Sequence, residues 1–164
     1  MTSREKRLPI LSVIAGVLVV AAVAVGAFAG YRFWNDRQAE QARTASVDAA
    51  RRTVAAMFTY DFNTVDTQLP KAADSLTPTF KGDYLKLINA AIAPGAKQKQ
   101  LTVQATTQAA GVVSADRSHA VVLLYLNEVT TSAASPQGTV TPSRVRVSLE
   151  KDGGRWLVGE VTPV

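Results

Sequence analysis

The sequence predicts an α+β protein in which one N-terminal membrane helix carries a single small domain. The first observation is an uncharged apolar run over residues 8–30. The second is helical periodicity from residue 35 to Gly95, and the third is a change to period-two alternation after Gly95. Helices followed by four consecutive strands favour helices packed on one curved antiparallel sheet.

Length and composition limit the classes of function. Once the membrane segment is set aside, 164 residues leave room for one domain with a core of its own. There is no cysteine, which excludes disulfides, thiolate zinc sites and a cysteine nucleophile. The net charge is +5, but the basic residues are scattered rather than clustered on a face. A nucleic-acid surface needs such a cluster, so we expect no nucleic-acid partner.

The apolar run at residues 8–30 is long enough to cross about 30 Å of hydrocarbon as a helix. The preceding basic head, residues 1–7, contains Arg4, Lys6 and Arg7. Because positive flanks stay inside, we expect the head in the cytoplasm and the rest of the chain outside the plasma membrane. The sequence therefore predicts a single-pass protein with a juxtamembrane helical linker at 31–46 and an exported domain at 47–164.

Two features of this segment allow other interpretations. Ala27-Phe28-Ala29 has the small-x-small form that signal peptidase cleaves, although the apolar run exceeds the usual ~7–15 residues of a signal peptide. Either way the domain is exported. Ala22, Gly26 and Gly30 form a small-residue stripe, which indicates contact with a partner helix unless the abundance of small residues here produced it by chance.

The helical part of the domain divides at turn signals. An apolar stripe containing Val47, Ala50 and Val54 predicts a helix that ends near residues 60–63. Residues 65–76 are typical of a short helix plus loop. Thr77-Pro78 is typical of a helix start, and Pro94-Gly95 of its end. The predicted buried face of this last helix consists of Phe80, Tyr84, Leu87, Ile88 and Ala91.

Four strands are predicted after Gly95. They cover residues 101–106, 121–126, 144–150 and 156–161, with turns at 114–117 and 151–154 and a longer loop at 131–138. This order suits the nuclear-transport-factor-like, or cystatin-like, cone. In that fold, bent strands wrap a helix and leave a pocket at the open end.

An ordered set of short segments resembles the Mce-associated membrane proteins of mycobacterial-type cell envelopes. The set comprises the basic head, the apolar anchor, Ala55-Ala56-Met57-Phe58-Thr59-Tyr60-Asp61, Leu76-Thr77-Pro78-Thr79-Phe80, Ala110-Gly111-Val112-Val113 and Asp152-Gly153-Gly154-Arg155-Trp156-Leu157-Val158. The resemblance implies an accessory or assembly subunit of an Mce-type importer of fatty acids or sterols. Its implied partners are the membrane, the permease and the substrate-binding subunits, with lipid contact possible.

The sequence contains few candidates for chemistry, namely Tyr60, Asp61, Asp66, Tyr84, His119 and Tyr125. Each has a simpler structural interpretation: the aspartates as caps, the single histidine as an exposed residue beside a turn, and Tyr84 as core. We therefore expect no enzyme, cofactor or metal, and a structural core that includes Phe58, Phe80, Tyr84 and Trp156. The competing hypothesis is a binding module or pocket enzyme that acts on a small apolar ligand in the cone. For the cone itself we expect a filled core, which Trp156 is large enough to help fill, and the alternative is a pocket that holds a lipid tail.

Overall fold

The computed structural model describes the backbone of residues 7–164 and the side chains of residues 21–34 and 37–164. The chain divides into two compact units, Met1–Gln38 and Ala39–Val164. Helix α1, Arg7–Phe58, supplies residues to both.

In the first unit, every side chain of residues 21–34 is exposed, including Val25, Phe28 and Phe33. Arg32 and Arg37 lie over the rings of Phe28 and Phe33, each one helical turn away. The basic head at 1–6 and the side chains of 8–20 in the expected membrane segment lie outside the described residues. Among the residues that are described, no helix is both long and apolar enough to cross a membrane.

The second unit has helices first and strands afterwards. After α1 come α2 (Val65–Ala72), a 3-10 turn (Ala73–Ser75), α3 (Pro78–Leu87), a π-helical turn (Ile88–Ile92), α4 (Ala93–Lys99), β1 (Thr102–Ala115), β2 (His119–Ser132), β3 (Ser135–Asp152) and β4 (Arg155–Pro163). The four strands form one antiparallel sheet in the order β1-β2-β3-β4. The predicted α+β class, with helices on a four-stranded antiparallel sheet, is confirmed.

The core lies between the helices and one face of the sheet. Alternate residues of β2, from Ala120 to Leu126, and of β3, from Val145 to Leu149, are buried, as a pleated strand with one packed face requires. Val54, Val65, Leu69 and Ile88 meet them from the helices. Two backbone bridges tie the layers together: Tyr60 with Val103, and Leu76 with Val158.

The prediction that Pro94-Gly95 ends the third helix is wrong, because helical structure continues to Lys99. Pro94 lies in the first turn of α4, where its missing N–H leaves no hydrogen bond unmade. The π-helical turn just before it adds a residue to one turn, which moves the buried position after Ile88 to Ala93 rather than Ala91. The helix ends at Gln100, whose φ of 52° is left-handed.

The predicted buried face of α3 is only partly correct. Tyr84 and Ile88 are buried and Phe80 is half-buried, but Leu87 is 54% exposed and Ala91 is also exposed. Thr77 does occupy the N-cap position, but its hydroxyl makes no capping bond. Its backbone N–H instead donates to the Val158 carbonyl at 2.9 Å, which fixes the start of α3 against the last strand.

The predicted loop at residues 131–138 is also wrong, because β2 and β3 continue through it to a two-residue turn at Ala133-Ala134. Cross-strand pairs such as Val129 with Val140 extend the ladder, since β-branched side chains fit a pleated surface. The β3 residues that precede Val145 have no ladder partner in β4, so this part of the strand forms an edge. A proline such as Pro142 is tolerated on such an edge.

Candidate functional site

The second unit contains an apolar cavity of about 550 Å³ under the sheet, within the range of small-molecule sites. We call it the apolar cavity. Its lining consists of Met57, Phe58, Tyr60, Phe80, Asp83, Tyr84, Leu87, Ile92, Leu101, Val103, Glu128, Thr130, Val145, Val161 and Pro163. The cone is therefore not filled by its own side chains.

Each layer of the fold contributes to this cavity. The end of α1 supplies Met57 and Phe58, and α3 supplies Phe80 and Tyr84. The strands supply the remaining wall through inward positions such as Val145. The Tyr84 hydroxyl donates to the Met57 carbonyl at 3.1 Å, which joins α3 to the end of α1, and burial raises the pKa of Tyr84.

Two carboxylates, Asp83 and Glu128, are the charged groups of the lining, which contains no lysine, arginine or histidine. The Ser143 hydroxyl donates to Glu128 Oε1 at 2.8 Å and holds that carboxylate in place. Burial, and then the negative charge of Glu128, raise the pKa of Tyr60, so its phenol stays protonated at neutral pH. Asp83 also pairs with Lys86 Nζ at 3.5 Å, although Lys86 is not part of the lining. Glu128 is therefore the carboxylate that mainly disfavours an anionic ligand, and the lining suits a neutral or cationic apolar one.

A second depression of about 760 Å³, which we call the basic groove, lies along α1 and α2. It is lined by Ala45, Asp48, Ala49, Arg52, Thr53, Ala56, Thr59, Gln68, Lys71, Ala72, Ser75, Gly154, Arg155 and Trp156. Three cations and one carboxylate give this lining a net charge of +2.

Trp156 lies in the wall of the basic groove and not in the wall of the apolar cavity. It is 8% exposed, and its indole Nε1 is buried without a hydrogen-bond acceptor among the described residues. A buried donor left unpaired costs about 1–3 kcal/mol of stability, so the unpaired state of this N–H calls for a physical explanation.

The structure does not bring the sequence candidates for catalysis together. Asp61 Oδ1 accepts from the Asn63 N–H at 2.8 Å and Oδ2 from the Thr102 hydroxyl at 2.8 Å, which ties the loop after α1 to β1 and lowers the Asp61 pKa. Asp66 forms an exposed ion pair with Lys97. His119 is exposed at the β1–β2 turn, and Tyr125 is 43% exposed.

Only Tyr60 and Tyr84 of those candidates reach the apolar cavity. Among the described residues no group of three His, Asp or Glu side chains is placed to hold a metal ion. The remaining predicted residues are distributed as follows. Tyr84 and Trp156 are buried and Phe58 and Phe80 are half-buried, whereas Ala22, Gly26 and Gly30 are exposed on α1.

Sequence reasoning missed Glu128, although a signal was present. The inward alternation of β2 from Ala120 to Leu126 continues without a break to Glu128 and Thr130. Because the predicted strand ended at Leu126, the carboxylate of Glu128 was not recognised as part of the core face. The cations Arg52, Lys71 and Arg155 come from three separate elements, so no local pattern marks the basic groove.

Residues 8–164 match the family described as "Uncharacterized protein Rv1363c/MT1408-like". The chain belongs to this family. It is 38% identical over 152 residues to the outer membrane protein Rv1973 of Mycobacterium tuberculosis strain H37Rv, covering 91% of this chain and 94% of that one. It is 31% identical over 160 residues to the uncharacterized protein Rv1362c of the same strain, covering 97% and 72%.

Solved structures show the same fold. The periplasmic domain of DotI matches with a TM-score of 0.64 at 16% identity, over 74% of this chain and 94% of that one. An IcmL-like type IV secretion system protein from Legionella pneumophila matches with a TM-score of 0.61 at 15% identity, over 72% and 90%. The second unit of the Rv1363c/MT1408-like protein thus has the nuclear-transport-factor-like fold of these domains.

Proposed function

We propose that this protein is a non-enzymatic accessory subunit of the cell envelope that helps to assemble an Mce-type lipid importer. In this proposal residues 8–30 anchor the chain in the plasma membrane by a single pass, with residues 1–7 inside. The domain at 47–164 lies outside and contacts the permease or substrate-binding subunits. The transported lipids would be fatty acids or sterols.

The observation that carries the proposal is the exposed apolar surface of α1. Every described side chain from 21 to 34 is exposed, and large apolar ones such as Val23, Val25 and Phe28 are 64–68% exposed. An apolar surface of this kind marks contact with a membrane or with another protein. The 38% identity to a protein named as an outer membrane protein supports an envelope location. The resemblance to Mce-associated proteins supports the choice of complex.

The scattered placement of the titratable candidates supports a non-enzymatic role. General acid–base catalysis needs positioned groups within hydrogen-bond reach of one substrate. Asp61 and Asp66 are engaged in hydrogen bonds or an ion pair on the surface, and His119 lies at a turn. The apolar cavity contributes two phenols and two carboxylates, without a histidine in its lining.

The apolar cavity favours a second candidate function, the binding of a small apolar molecule. Its volume of about 550 Å³ suits such a ligand. The two functions are compatible, because a ligand in the cavity leaves the exposed face of α1 free. The carboxylates Asp83 and Glu128 make a sterol-like neutral molecule a better occupant than a fatty acid anion.

Co-purification from detergent-solubilised membranes tests the assembly role. Replacing Gly26 and Gly30 together by leucine should keep a partner helix from approaching closely, since a Cβ at either position meets open space in this chain and would project toward the partner. The matched control replaces Ala21 and Val25 by leucine, which lie on a different face of the same helix. We expect recovery of permease and substrate-binding subunits to fall in the glycine variant and to persist in the control.

Two results would contradict the proposal. One is equal recovery of the Mce subunits with the glycine variant, the control and the unaltered chain. The other is the recovery of no Mce subunit by the unaltered chain. Abolition of lipid uptake by His119→Ala or Asp61→Asn in a folded, normally abundant protein would favour an enzyme instead.

A further inference from the structure

The three cations of the basic groove form no ion pair with a carboxylate of the described residues. No carboxylate of the described residues lies within 4.0 Å of the charged groups of Arg52, Lys71 or Arg155, although Asp74 is close enough to Arg155 for its pKa to be lowered by that charge. These side chains come from α1, α2 and β4 and line one depression. With Asp48 as the single carboxylate of the lining, the groove keeps an excess of positive charge.

Two polar side chains of the groove, Gln68 and Thr59, accept hydrogen bonds from other groups of the chain. Their own N–H or O–H groups remain available to donate to a ligand. Gln68 Oε1 accepts from the Asp61 N–H at 3.0 Å and from the Thr64 hydroxyl at 3.1 Å, which leaves the amide N–H groups to donate. The Thr59 oxygen accepts from the Ala105 N–H at 3.1 Å, which leaves its proton to donate. The lining thus offers mainly donors.

Trp156 lies in the wall of the basic groove and can therefore report on binding there. Its Nε1–H is buried without an acceptor among the described residues, and an indole nitrogen can only donate. Lys151 Nζ lies 5.7 Å from the centroid of the ring and adds positive charge nearby.

We propose that the basic groove binds a phosphate group, held by Arg52, Lys71 and Arg155. Guanidinium groups match phosphate oxygens in pairs, and a phosphate has more acceptor oxygens and more charge than a carboxylate. The small side chains Ala45 and Ala49 leave room for the group that carries the phosphate. The phosphate comes either from a phospholipid headgroup or from a free phosphate. This site does not depend on the assembly role proposed above.

Nuclear magnetic resonance of the indole N–H tests this site directly. The full chain in neutral detergent, with Trp34→Phe to leave one indole, is titrated with inorganic phosphate, short-chain phosphatidylglycerol, short-chain phosphatidylcholine or hexanoate. The test variant is Lys71→Gln with Arg155→Gln. The matched control is Lys99→Gln with Arg144→Gln, which removes one lysine and one arginine that are exposed outside the groove.

We expect phosphate or phosphatidylglycerol to shift the Trp156 resonance in a saturable way. The affinity should fall at least about tenfold in the test variant and less than about twofold in the control. Tighter binding of phosphatidylglycerol than of inorganic phosphate identifies a lipid headgroup as the source, and the reverse order identifies a free phosphate. A site for phosphate is contradicted by an unshifted resonance, by equal affinity for hexanoate, or by equal losses in the two double variants.

Discussion

The apolar cavity and the basic groove lie in the same unit and differ in almost every physical respect. The cavity is lined by apolar side chains with the carboxylates of Asp83 and Glu128, whereas the groove has the cations of Arg52, Lys71 and Arg155. Helix α1 contributes to both from adjacent stretches. The last turn of α1 directs apolar side chains toward the sheet. The turns before it contribute alanines and polar residues to the groove. The two depressions therefore differ in the charge of the ligand that each would favour.

The largest expected effect concerns the wall of the groove. Trp156→Ala should lower the free energy of unfolding by about 3–5 kcal/mol, because it empties a buried aromatic site. Trp156→Phe should cost less than about 1.5 kcal/mol, since most of the volume is kept and the unpaired N–H is removed. Urea unfolding of the full chain in neutral detergent, followed by circular dichroism, measures both. A cost below about 1 kcal/mol for Trp156→Ala would mean that the ring contributes little to packing.

A charge preference in the cavity is the next largest effect. Hexanol and hexylamine should bind the apolar cavity with an affinity about three- to tenfold higher than that of hexanoate. The reason is that Asp83 and Glu128 repel a carboxylate, although water in the cavity weakens this repulsion. Shifts of the Val145 and Val161 methyl resonances report binding at this site. Replacing Asp83 by asparagine and Glu128 by glutamine together should remove the preference, whereas Asp48→Asn in the groove should leave it intact. Tighter binding of hexanoate than of hexanol by the unaltered chain would contradict the account.

Tyr84, in the wall of the apolar cavity, should affect the stability of the folded chain at alkaline pH. Tyr84→Phe removes the hydrogen bond to the Met57 carbonyl and should cost about 0.5–1.5 kcal/mol, whereas Tyr125→Phe on the exposed face should change stability by less than about 0.5 kcal/mol. Since the folded-state pKa of Tyr84 is raised above its ordinary value of 10.0, its contribution is complete below pH 10 and is lost as the pH rises beyond it. The unaltered chain should therefore lose stability above pH 10 more steeply than Tyr84→Phe. Parallel pH profiles would show that Tyr84 does not titrate with unfolding.

The smallest effect is expected at Asp61, outside both depressions. Its hydrogen bonds from Asn63 and Thr102 lower the folded-state pKa, so its contribution is present above the ordinary carboxyl pKa of 3.8 and is lost as the pH falls through the lowered value. Asp61→Asn should reduce the stability difference between pH 6 and pH 3 slightly. Asp83→Asn serves as the control at a carboxylate without such bonds to the backbone. An unchanged acid profile in Asp61→Asn would show that these bonds do not stabilise the folded chain.

The fold could be predicted from the sequence where burial imposes a simple period. The alternation of Val145, Val147 and Leu149 identified a strand with one packed face, and the structure has it. Errors arose where local composition competed with tertiary pairing. Pro94-Gly95 is a strong stop signal, yet a π-helical turn accommodates it, and residues 131–138 are rich in small polar residues, yet pairing with β2 makes most of them strand.

The candidate sites were harder to predict because their residues meet only through tertiary structure. The cations of the basic groove are separated by 19 positions from Arg52 to Lys71 and by 84 from Lys71 to Arg155. No spacing rule relates such residues. Glu128 is different, since its position on the inward face of β2 follows from the strand period once the strand is drawn to its full length.

The most direct test of the central claim, an exported domain on a membrane anchor, uses the absence of cysteine from the sequence. Ala133→Cys introduces a single thiol at the exposed turn between β2 and β3, and Ser3→Cys introduces one in the basic head. Intact cells are treated with a membrane-impermeant maleimide, then lysed and treated again. We predict that Cys at position 133 reacts before lysis and Cys at position 3 only after it. Protection of position 133 until lysis, in a protein that stays in the membrane fraction, would contradict the proposed location of the domain.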